Sequence, residues 1–94
     1  MATYIMLSRL TDKGSEAVKQ DPGRIKAVDQ ELESFGVRVV AQYAVLGPYD
    51  FVTIIEVPDN MTVSRASTEL ASRGSVKIET LPAIPIDDFI AKFK

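Results

Sequence analysis

Two apolar, β-branched runs flank the segment Leu46-Gly47-Pro48-Tyr49-Asp50-Phe51, and no other feature constrains this chain so strongly. Both runs read as strands, so the segment between them must turn the chain back on itself. Pro48 fixes its φ at about −65°, which suits a type I or II turn and excludes the primed turns that close two-residue hairpins. The loop is therefore longer than that. A three-residue loop fits best, with a type I turn over Pro48 and Tyr49, Asp50 in the left-handed region, and Gly47 opposite Phe51. In that register Val45 and Tyr43 share a face with Thr53 and Ile55, while Ala44 and Gln42 share one with Ile54 and Glu56. A four-residue loop would exchange the two faces.

Upstream, residues 3–10 read as a first strand, with Tyr4, Met6 and Ser8 on one face and Ile5 and Leu7 on the other. Thr11 or Asp12 can cap a helix containing Glu16, Ala17 and Val18, which Asp21-Pro22-Gly23 interrupts. Asp21 is the expected cap of the renewed helix, with Pro22 its first residue. There Ile25, Val28, Leu32 and Phe35 recur at helical spacing, Lys26, Asp29, Gln30 and Glu33 fall on the opposite side, and Gly36 ends the helix. Residues 37–46 form the second strand and residues 51–57 the third, ended by Pro58. Asp59 or Asn60 caps a further helix with a narrow stripe of Val63, Ala66, Ser67, Leu70 and Ala71, and Gly74 terminates it. Residues 75–81 are the fourth strand, at a sheet edge. Residues 82–85 run extended into a short amphipathic stretch of Ile86, Phe89, Ile90 and Phe93.

The order β-α-β-β-α-β, with its one hairpin between strands two and three, is the ferredoxin-like α+β arrangement: an antiparallel sheet with both helices on one face. Residues 1–94 are expected to form a single domain. Right-handed crossovers place strands one and three in the centre. The end of strand one then meets the hairpin, gathering Asp50, Tyr49, Arg9 and the cap region 11–13 into one volume. On the face away from the helices several of Val40, Ala44, Leu46, Val52, Ile54 and Leu81 remain uncovered, a larger apolar patch than monomers ordinarily show. Covering about 500 Å² of it per subunit would contribute about 12 kcal/mol before the costs of association. A second copy is the simplest cover. The expected particle is a homodimer or higher homo-oligomer closed as a dimeric α+β barrel, with residues 89–93 docking across its seam.

The chain contains no cysteine and no histidine. That removes disulfides, thiolate chemistry, the commonest metal ligand and the usual proton shuttle near neutral pH, so no metal and no cofactor is expected. A net charge of −2 and a pI of about 5.0 offer no field for nucleic acid or for anionic membrane lipid. No apolar run reaches the roughly 20 residues a membrane span needs, and the first residues lack the pattern of a signal peptide. Cytoplasmic residence is the expectation.

The residues Gly47-Pro48-Tyr49-Asp50, followed by Glu56-Val57-Pro58-Asp59, resemble the Gly-x-Tyr-Asp signature and the strand ending of GYD domain proteins. Thr11-Asp12-Lys13-Gly14, Arg24, Gly74 and the strand Lys77-Ile78-Glu79-Thr80-Leu81 extend the likeness over most of the chain. The resemblance implies the dimeric α+β barrel superfamily and a small bacterial or archaeal protein, but no activity. On the same scaffold stand cofactor-free monooxygenases, isomerases and small-molecule-binding modules, and fold does not choose among them. Arg9, Tyr49 and Asp50 are the candidate ligand-binding residues, with Gly47 and Pro48 shaping the turn. Asp50 is either a base or ligand anchor, or a carboxylate engaged by backbone N–H groups of the turn and the first helix. Tyr49 either holds a ligand through its phenol or packs as an ordinary aromatic. The first expectation is a homo-oligomeric small-molecule-binding or regulatory module. A cofactor-free enzyme using Asp50 and Tyr49, and a purely structural oligomerisation domain, are the alternatives.

Overall fold

The computed structural model describes residues 1–94. In chain order they form β1 (Ala2–Leu10), α1 (Asp12–Gln20), α2 (Arg24–Ser34), β2 (Arg38–Ala44), β3 (Phe51–Val57), α3 (Asn60–Ala71), β4 (Val76–Ala83) and α4 (Ile86–Ala91). The strands make one antiparallel sheet in the order β2-β3-β1-β4. This is the ferredoxin-like topology, with its first helical connection in two pieces and β4 at an edge.

Alternation in β1 sends Tyr4 and Met6 inward, where they meet Ile55 and Val57 of β3. Leu32 from α2, Val37, and Val63, Ala66 and Leu70 from α3 complete the core on that side. The caps are local and chemical. Thr11 Oγ1 accepts the Gly14 N–H at 3.2 Å, and Asp59 Oδ1 accepts the Thr62 N–H at 2.8 Å. That backbone bond to Thr62 holds the Asp59 carboxyl below its ordinary pKa. Gly14 lies against the backbone leading into β4, and a Cβ there would sit 2.0 Å from the Ser75 carbonyl oxygen. Only glycine lets α1 approach so closely.

The hairpin departs from the expected register. Val45 N–H donates to Asp50 O at 2.9 Å and Ala44 opposes Phe51, so the tip comprises residues 46–49. Gly47, not Asp50, takes the left-handed conformation, with φ +112°. A glycine has no Cβ to clash there, so the turn centres on it. The two faces are therefore exchanged. Gln42 and Ala44 share the helix side with Thr53 and Phe51, while Tyr43 and Ala41 share the open side with Val52 and Ile54. An extra residue, Val40, bulges between Val39 and Ala41 and resets the pairing, so that Arg38 stands opposite Glu56.

Two further expectations are corrected. Asp21 closes α1, its N–H bonded to Ala17 O at 2.9 Å, and α2 starts only at Arg24 with Gly23 in the cap position. Asp29 is buried, at 9% exposure, although its polarity pointed to solvent.

Candidate functional site

At the hairpin end of the sheet the topology brings Arg9, Tyr49 and Asp50 together. The Asp50 N–H donates to Ser8 O at 2.8 Å, and its Oδ2 accepts the Leu10 N–H at 2.7 Å, pinning the loop to the last residues of β1. Arg9 and Tyr49 converge instead on Glu79 of β4. The Arg9 Nη2 donates to Glu79 Oε1 at 3.1 Å and the Tyr49 hydroxyl to Glu79 Oε2 at 3.1 Å. The Arg9 guanidinium also lies 5.4 Å from the centre of the Tyr49 ring, within cation–π reach. Donation to Glu79 pushes the Tyr49 phenol above its ordinary pKa. The cluster presents charge and hydrogen-bonding groups at the surface. Thr11 and Lys13 turn elsewhere, to Gly74 O at 2.7 Å and Arg73 O at 3.1 Å.

The cluster has a place on a larger surface. Register puts Ile5, Leu7, Val52, Ile54, Tyr43 and Leu81 on the open side of the sheet, with Leu81 and Tyr43 exposed and the others half-buried. Arg9, Glu79 and Tyr49 border this apolar field at one end, and the Arg38–Glu56 pair borders it at the other. An apolar centre inside a polar rim is the anatomy of a protein interface. Leu46, wholly exposed at the hairpin tip, adds an apolar side chain that nothing in this chain covers.

Behind the sheet lies a different feature. A cavity of about 120 Å³ opens between the helix side of the strands and α1 and α2, lined by Met6, Phe51, Val28, Val76 and Ile78 among others. Asp29 is among its lining residues, with both carboxylate oxygens buried in the surrounding protein. Burial raises its pKa, tempered by nearby Gln42 and Lys26 and reinforced by Glu33. The Gln42 amide donates one N–H to Thr53 Oγ1 at 3.2 Å, and its second N–H is free to turn to the Asp29 carboxylate. One sequence signal does mark this position: Asp29 follows Ile25 by four residues and precedes Leu32 by three, inside the apolar stripe.

The fold, the Gly-Pro-Tyr-Asp hairpin and its contacts accord with a family match: the GYD domain model covers residues 4–92. This chain belongs to the GYD domain family. A relative from Thermus thermophilus, named "Glutamine synthetase and cystathionine beta-lyase binding protein", is 63% identical over 95 residues, spanning 100% of both chains. The crystal structure of TTHA0845, also from Thermus thermophilus, is similar in fold, with a TM-score of 0.59 and 25% identity over 90% of this chain and 95% of that one. No helix of this GYD protein is long and apolar enough to cross a membrane.

Proposed function

We propose that this chain is a regulatory binding module, acting in the cytoplasm as a homo-oligomer, that docks on metabolic enzymes, with glutamine synthetase and cystathionine beta-lyase the first candidates. One observation carries the reading: a relative matched over its whole length at 63% identity is named for binding those two enzymes. The geometry is in keeping with it. The open sheet face takes a second copy, so that two such faces pack together in a dimeric barrel. The arm ending in α4 has no buried residue and exposes Ile86, Phe89, Ile90 and Phe93, and it crosses to the partner copy. A radius of gyration of 14.1 Å, against about 12 Å for a compact chain of this length, fits an arm built to reach outward.

In that pair the hairpin ends remain free for the target enzyme. Leu46, Tyr49 and Arg9 supply the contact, Tyr and Arg being the residue types that dominate interface energetics, and Asp50 fixes the loop that presents them. The catalytic alternative gains nothing from the geometry, since Asp50 accepts the Leu10 N–H and the Tyr49 hydroxyl donates to Glu79. Biolayer interferometry with purified glutamine synthetase and then cystathionine beta-lyase tests the reading. Saturable binding to at least one is expected, weakened about tenfold or more by Leu46→Asp with no change in self-association. Failure of both enzymes to bind would overturn it.

A further inference from the structure

Ile86, Phe89, Ile90 and Phe93 recur at three- and four-residue spacing, and all four are exposed. A helix with such a stripe binds by laying it in an apolar groove. The chain carries one. A groove of about 330 Å³ follows the outer border of β2, walled by Val39, Val40, Ala44 and Phe51 and by Ile25 and Lys26 of α2. That volume is within the range of roughly 300–1,000 Å³ typical of sites that enclose drug-sized groups. Charge matches as well as shape. Asp87 and Asp88 stand beside the stripe, exposed Lys26 stands at the groove, and none of the three forms an ion pair within the chain. Lys26 acts on the Asp29 carboxyl through space only.

Register decides which copy can fill the groove. Arg38, Glu56, Thr3 and Ala83 make one row across the sheet, so β2 starts and β4 ends at the same end of it, on opposite borders. Three strand spacings, about 14 Å, separate those borders, whereas the three residue steps from Ala83 to Ile86 span about 10 Å. The start of α4 falls short of its own groove. Two open faces packed about a two-fold axis along the strands set β4 of one copy across from β2 of the other, about 10 Å away. An axis across the strands would set β4 on β4 and leave both grooves empty. We propose that α4 of each copy seats in the β2–α2 groove of the other, with Phe89 and Ile90 among Val39, Val40 and Ala44 and with Asp87 and Asp88 facing Lys26. The assignment rests on the face-to-face pairing proposed above and adds to it the axis and the seat.

Because the chain has no cysteine, single introduced ones report contacts without background. Ile90→Cys mixed with Val40→Cys in a glutathione buffer is expected to form a disulfide between chains, in about tenfold or greater yield than Ile90→Cys mixed with Lys19→Cys, an exposed site on α1. Charge reversal gives an independent readout. Lys26→Glu, and Asp87→Lys together with Asp88→Lys, should each weaken self-association about threefold in sedimentation equilibrium, and combining them should restore it to within about twofold of the wild type. A pair of chains in which Ile90→Cys links no better to Val40→Cys than to Lys19→Cys would overturn the seat and leave the pairing of the faces standing. Charge effects that simply add would do the same. A particle of one chain at micromolar concentration would overturn both.

Discussion

Replacing Gly14 by alanine would place a methyl group where the Ser75 carbonyl oxygen already stands, 2.0 Å away, and the Thr11 N–H bond to that same oxygen, at 3.0 Å, would be forced apart. Rigid backbone on both sides leaves no flexible atom to yield. We expect Gly14→Ala to cost about 2 to 3 kcal/mol in urea denaturation. Asp29 points the other way. Its folded pKa is raised, so the folded chain holds the proton more tightly than the unfolded one, and the charged form costs stability that grows as pH rises through the folded pKa. Asp29→Asn removes that cost. A gain of about 1 kcal/mol, or about 5 °C in melting temperature, is expected at pH 7, fading as pH falls towards the ordinary carboxylate range. Thermal melts of both proteins at pH 7 and in mild acid check the size and the sign.

Among the elements, α4 is the one whose sequence and surroundings disagree. Its apolar side chains are exposed, and the Phe89 and Phe93 ring centres lie 5.1 Å apart. If the arm's partner is a second copy, Phe89→Ser combined with Ile90→Ser should leave the melting of the dilute chain unchanged and weaken self-association about tenfold or more in sedimentation equilibrium. The remaining elements are largely legible in the sequence because their determinants are local. Thr11 and Asp59 mark the helix starts, Gly36 and Gly74 the stops, and alternation names both faces of β1. The meeting of Arg9, Tyr49 and Asp50 also follows from topology alone. Properties that depend on distant atoms are not legible. The hairpin register turns on which residue of the loop adopts positive φ, and Gly47 does so with less strain than Asp50. The bulge at Val40 has no signature in its neighbours. The polarity of Asp29 masks its burial, although its place between Ile25 and Leu32 is visible. Glu79 cannot be paired with Arg9 and Tyr49 from sequence, because the β4 register is set across the sheet.

At the scale of the molecule, nine buried hydrophobic residues make a slight core for 94 residues, and the apolar residues of the sheet's other side lie outside it. Light scattering at micromolar concentration should give twice the 10.3 kDa chain mass or a higher multiple, and Ile54→Lys, which sets a charge in the middle of the open face, should reduce it to the single chain. A wild-type particle of one chain would refute the pairing. The sheet's margins bear on how such assembly ends. Pro82 in β4 lacks an N–H to offer a newcomer, and the Val40 bulge distorts the opposite border. Lateral recruitment of further strands is discouraged at both borders, so growth by endless ribbon is closed off and stacking of the flat faces is left as the route to a finite, countable complex.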